Sequence, residues 1–164
     1  MRFIQTEKAE IEVDLINVKS SLAPIVFLHE GLGSVAMWRS KGGYWPELVC
    51  QATGRNGVVY SRRGYGQSSS VADVRGANRL QPDYMHREAW EVLPELLTAL
   101  QIENPVLLGH SDGATIALLF ASRFATSACI AMAPHVMVED ISVRSIEAAK
   151  LAYESGELKT RLAK

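Results

Sequence analysis

The segment Gly109-His110-Ser111-Asp112-Gly113 sets a serine between two glycines, after the apolar run Val106-Leu107-Leu108 and before a small-residue-rich stretch. A serine on a sharp strand-to-helix turn carries a strained backbone, and side chains two positions either side would collide across it, so glycines flank it. Such a turn lifts the Ser111 hydroxyl clear of the sheet, at the carboxyl edge where open α/β sheets bind ligands. The start of the following helix favours negative charge. The backbone N–H of Asp112 is therefore expected to stabilise the oxyanion formed when Ser111 attacks a carbonyl. A second segment, His29-Glu30-Gly31-Leu32-Gly33-Ser34, follows the apolar run Pro24 to Leu28. In an acyl-transfer site of this design the second oxyanion donor comes from such a loop, here the backbone N–H of Gly31 or of Leu32.

A serine nucleophile needs a base, and the base needs an acid to hold its tautomer. After Ser111 the only histidine is His135, and the only acid between them is Asp112. His29 reads as a brace of its own loop. His110 should point away from the substrate, because consecutive side chains at a strand end face opposite ways. His86 reads as solvated at a helix start, and His135 as a pocket or cap-hinge residue. Glu139 and Asp140 read as capping or solvating the next helix. Trp38, with Tyr44 and Trp45, walls a pocket or packs in the core. Arg62-Arg63 reads as solvated or paired with carboxylates rather than as an anion site. Cys50 and Cys129 match no metal-ligand spacing and read as buried free thiols, and no metal or other cofactor is implied.

These residues need a frame. Phe3 to Val18 alternates apolar and polar residues and reads as an antiparallel strand pair turning near Lys8-Ala9. Pro24 to Leu28, Gly57 to Ser61, Pro105 to Leu108 and Ser127 to Ala133 are continuous apolar runs of strand length, suited to strands buried on both faces. Helical stretches lie between them: Tyr44 to Thr53 stopped at Gly54, Asp83 to Leu100 with Asp83 as cap and with Pro94 as a kink or the start of a second helix, and Asp112 to Phe124. Strands alternating with helices imply an α/β fold, a mostly parallel sheet with helices on both faces. After Pro134 the chain turns polar, and Ile141 to Lys164 reads as two helices broken at Gly156.

Composition agrees with an ordinary soluble domain: 164 residues, 48% hydrophobic, 21% charged and a net charge of -1. A near-neutral chain without blocks of like charge excludes the electrostatic footprint of a nucleic-acid binder or a polybasic membrane-surface protein. No apolar run is long enough to span a bilayer and the first residues lack a signal peptide's apolar segment, so a cytoplasmic location is expected.

Taken in order, the loop at His29, Arg63-Gly64-Tyr65-Gly66-Gln67-Ser68 and the turn at Ser111 resemble the α/β-hydrolase superfamily, over essentially Phe3 to Pro134. The resemblance implies a serine hydrolase of small carboxylic esters or thioesters acting through an acyl-enzyme on Ser111. It implies a core over residues 1–135 and the start of a helical cap over 136–164. Two departures stand out. Ser61 occupies a position where members often carry Asp, which bears on loop bracing, and Glu30 intervenes where members commonly have Gly directly after His. The family order is Ser, then Asp or Glu, then His, and this chain does not complete it. The expectation is an amino-terminal portion, nearly inactive alone. The alternatives are a non-catalytic interaction module, self-associating through the sheet edge at Ser127 to Ala133, or another reaction on the same scaffold, such as carbon-carbon hydrolysis or acyl transfer.

Overall fold

The structure, a computed structural model, describes residues 2–162. The chain divides into two compact units, Met1–Pro134 and His135–Lys164. In the first, an antiparallel pair, β1 (Arg2–Gln5) and β2 (Glu10–Ile16), leads to β3 (Ile25–Leu28). After β3 come a 3-10 turn (Ala36–Trp38), a two-residue hairpin of β4 (Arg39–Ser40) and β5 (Gly43–Tyr44), and α1 (Trp45–Thr53). Then follow β6 (Gly57–Tyr60), α2 (Tyr84–Arg87), a π-helical turn (Glu88–Val92) and α3 (Leu93–Ala99). The unit closes with β7 (Val106–His110), α4 (Asp112–Ala121) and β8 (Ala128–Met132).

The main sheet runs β1-β2-β6-β3-β7-β8, and β6, β3, β7 and β8 are mutually parallel. Pleating sends alternate residues of each strand to opposite faces. In β3, Val26 and Leu28 enter one core with Leu96, Ile116 and Phe120 from the helices α3 and α4. Ile25 and Phe27 enter the other, with Val35, Tyr44 and Cys50 from the α1 side. Helices thus cover both faces, and the continuous apolar runs follow from that double burial. Helix α1 ends where Gly54 takes a left-handed φ of 62° and returns its N–H to the Cys50 carbonyl.

Of the two expectations at Pro94, the start of a second helix is the one found, and a π turn precedes it. Pro94 sits at the start of α3 and supplies no N–H to the preceding turn, and residues 88–92 widen into a π turn just before it. Asp83 makes no cap bond; its carboxylate instead pairs with Arg87 at 2.8 Å. The π turn carries Trp90 across the end of α4, where its Nε1–H donates to the Leu119 carbonyl at 2.9 Å. The 3-10 turn and the β4-β5 hairpin have no counterpart among the sequence-based expectations, being too short to show a period.

The second unit holds α5 (Asp140–Glu154) and α6 (Glu157–Leu162), separated at Gly156, whose φ is 92°. No residue of α5 is buried. Residues 163 and 164, the end of the expected helical stretch, lie outside the described residues.

Candidate active site

The turn between β7 and α4 holds Ser111 at φ 54°, ψ -117°, a combination that residues other than glycine rarely adopt. Its N–H is fixed by the Met132 carbonyl at 2.9 Å, on the neighbouring strand β8. The flanking glycines are required sterically. A Cβ on Gly109 would overlap the Gly113 carbonyl, and a Cβ on Gly113 would overlap the carbonyl of Leu28 in β3. The elbow is therefore wedged against the adjacent parallel strand, and Asp112 opens the first turn of α4.

The segment 29–35 lies directly beside it. A Cβ on Gly31 would stand 3.2 Å from Asp112 Oδ2, so this loop passes over the Asp112 side chain. His29 is 2% exposed, and its Nε2 accepts the Arg62 N–H at 3.0 Å, which leaves the ring proton on Nδ1, 2.7 Å from the Glu30 carbonyl. Burial above all, with the Arg62 charge second, pushes its pKa down to about 3. The ring is neutral and both nitrogens are engaged, as a brace requires. The Leu32 N–H donates to Glu30 Oε2 at 2.9 Å. Among the described residues no acceptor meets the Gly31 N–H.

Three carboxylates that sequence reasoning did not place in the site form its underlayer. Asp112, weighed there only for its backbone, accepts the Tyr84 hydroxyl at 2.7 Å and lies 3.5 Å from Arg62 Nη1. Burial first, and this bond to Asp112 next, push the Tyr84 phenol up, so it stays a donor. Glu88, from the π turn, accepts the Tyr60 hydroxyl at 3.0 Å; burial raises its pKa, and Arg62 opposes that rise. Glu12 is 2% exposed, and its Oε2 accepts the Ser61 hydroxyl at 2.7 Å and the Gln67 N–H at 2.9 Å. Ser61 Oγ in turn accepts the Val35 N–H at 2.9 Å. Ser61 and Glu12 together hold the loop that an Asp at position 61 would brace. The signal for Glu12 was that departure at Ser61; Tyr84 and Glu88 carried none, because their partners arrive from distant elements.

Of the remaining candidates, Trp38 stacks on Trp45 at 5.4 Å and meets Phe27 edge-on, within the α1-side core. His110 is exposed at the end of β7, and His86 is exposed with its ring against Trp90. His135 is exposed and belongs to the second unit. Arg62 is buried and paired, whereas Arg63 is exposed. A cavity of about 340 Å³ is lined by Arg62, Tyr65 and Tyr84 but not by Ser111, and it reaches the elbow only through the residues that hold Asp112. Among the described residues no cluster of His, Cys, Asp and Glu could hold a metal ion, and no helix is long and apolar enough to cross a membrane.

The backbone is similar to solved α/β hydrolases. A carboxylesterase from the ammonia-oxidizing thaumarchaeon Nitrososphaera gargenis superposes with a TM-score of 0.74 at 17% identity, over 99% of this chain and 56% of its own. An α/β hydrolase fold protein from Burkholderia ambifaria gives 0.65 at 19%, over 96% and 55%. The enol-lactonase from Burkholderia xenovorans LB400 gives 0.55 at 19%, over 74% and 42%. The chain spans about half the length of these structures. No curated protein matches the sequence. The sequence pattern of the alpha/beta hydrolase family matches residues 25–161, and with the mixed sheet and the elbow in place the chain belongs to that family.

Proposed function

We propose that Ser111 is the nucleophile of an ester or thioester hydrolase, with the N–H groups of Asp112 and Gly31 as its oxyanion donors. The observation that carries this reading is the Ser111 backbone at φ 54°, ψ -117°, wedged by two glycines that tolerate no Cβ. Strain of this kind costs about 1–3 kcal/mol and persists only where its surroundings enforce it. In the reaction Ser111 Oγ bonds to the acyl carbon and gives up its proton to a base. The carbonyl oxygen becomes an oxyanion held by the two amides, and the alcohol or thiol leaves with a proton. Water then attacks the acyl-serine, releasing the acid and restoring the hydroxyl. Between the two loop candidates, Gly31 is favoured because the Leu32 N–H is already held by Glu30.

His29 does not serve as the base, since both its nitrogens are bonded. Asp112 does not serve as the acid of a Ser-acid-His order, since Arg62 and Tyr84 hold it. We assign the 164-residue chain by itself only the residual rate that an oxyanion hole and binding provide, about 10³- to 10⁴-fold over water. Residues 136–164 are read as the start of a helical cap, and the substrate as a small acyl compound. The test is labelling with a fluorophosphonate and turnover of a nitrophenyl ester, in the wild type and in Ser111→Ala. Slow labelling that disappears in Ser111→Ala is expected. Labelling that persists in that variant overturns the nucleophile, and fast turnover by the wild-type chain overturns the residual-rate assignment.

A second reading, an interaction module, draws on one observation. Strand β8 pairs only with β7 among the described residues, and its Ile130 is 46% exposed.

A further inference from the structure

We propose that Arg62 is a positioning residue that aims both oxyanion amides, an inference that rests on the reading of Ser111 as nucleophile. Arg62 is 5% exposed at the end of β6, between the two loops that carry those amides. Its Nη2 donates to the Glu30 carbonyl at 3.0 Å, and its Nη1 lies 3.5 Å from Asp112 Oδ2. Its own backbone N–H donates to His29 Nε2 at 3.0 Å.

The geometry of the peptide unit turns these contacts into a direction. The Glu30 carbonyl and the Gly31 N–H belong to one planar trans peptide, so they point opposite ways. Three donors converge on that carbonyl: Arg62 Nη2, His29 Nδ1 and, across the turn, the Gly33 N–H at 3.1 Å. Pinning the oxygen from one side fixes where the Gly31 N–H points on the other. Arg62 also sets the proton position that lets His29 join in, because its N–H occupies Nε2 and leaves the hydrogen on Nδ1.

At the elbow the same guanidinium holds Asp112, and the Gly31 backbone crosses that side chain so closely that an added Cβ would stand 3.2 Å from Oδ2. One rigid, planar cation therefore spans the two loops and sets the separation of their amides. The face of the guanidinium rests on the Tyr65 ring, 4.9 Å from its centroid, and Tyr65 in turn contacts the His29 ring at 5.2 Å. Glu88, also buried, is within electrostatic reach of Arg62, whose charge opposes the rise that burial imposes on its pKa. A lysine at position 62 keeps the charge but has no fork to reach Glu30 and Asp112 together.

The experiment compares the wild-type chain with Arg62→Lys and Arg62→Ala in three measurements. These are the rate of Ser111 phosphonylation, the kcat and KM for a nitrophenyl ester, and amide hydrogen exchange over residues 29–32. Arg62→Lys, with a wild-type near-UV spectrum, is expected to phosphonylate at least about tenfold more slowly, less than the roughly 10²- to 10³-fold cost of losing an oxyanion donor outright, because the amides are misaimed rather than removed. Its kcat should fall with KM within about twofold, and exchange over 29–32 should rise while β7 stays protected. Millimolar guanidinium should restore part of the rate in Arg62→Ala, which loosening of the fold alone would not produce. A folded Arg62→Lys that reacts and exchanges like the wild type overturns the proposal. A wild type that Ser111 reagents never label overturns the nucleophile reading instead. Exchange over 29–32 then decides on Arg62 alone: faster in Arg62→Lys upholds its hold on the loop, unchanged removes it.

Discussion

His29 shows how one buried side chain sets a pH dependence for the whole fold. Its ring stays neutral in the folded chain, with a pKa lowered to about 3 mainly by burial, whereas an unfolded histidine titrates near 6.5. Above about pH 6.5 the ring is neutral in both states and its contribution is complete. As pH falls from there towards 3 only the unfolded chain takes up the proton, so stability drops by up to about 1.4 kcal/mol per unit. Urea melts of wild type and His29→Asn between pH 7 and 4 check this: the wild type should lose stability more steeply, and equal slopes would remove His29 as the cause. Ser111 and its glycines were legible in the sequence because they form one pattern within five residues, although the clash that requires Gly113 comes from Leu28 in β3. The buried acids were not. Glu12 stands between Ile11 and Val13 in an alternating strand, which marks it as outward-facing. In the fold that second face of β2 is roofed by residues 61–69, and Glu12 accepts bonds from Ser61 and Gln67 there.

The elements sort by whether their period is long enough to read. The parallel strands and the helices α1, α4 and α5 appear within one or two residues at most ends of their expected places, since double burial and a sustained helical period leave little choice. The hairpin β4-β5 and the π turn are shorter than any period and are set by tertiary contacts. The π turn matters to the site because it delivers Glu88 to the Tyr60 hydroxyl and Trp90 onto α4. Trp90 also carries the Arg123 guanidinium 3.7 Å from its ring centroid. Trp90→Phe keeps a ring under Arg123 and removes the N–H on the Leu119 carbonyl. The expected cost is about 1–2 kcal/mol, read as a lower denaturation midpoint with an unchanged denaturant slope. An unchanged midpoint would mean that this bond does not anchor the π turn to α4.

At the scale of the molecule the sheet order governs behaviour. Its β8 side presents backbone groups and the half-exposed Ile130. On the interaction reading the chain should self-associate, with a light-scattering mass that rises with concentration and that Ile130→Lys brings back to the monomer. A mass that stays monomeric throughout would count against that reading. The order also has a consequence in time. Strand β3 is completed at Leu28, but one of its two neighbours, β7, ends at His110, 110 - 28 = 82 residues later. At roughly 5–20 residues per second, a ribosome needs about 4–16 s to supply that partner. Until then the apolar edge of Ile25 to Leu28 is open to any chain nearby, and the elbow that will press against Leu28 has yet to be made. The segment that carries Ser111 is thus also the one whose arrival covers that edge of β3.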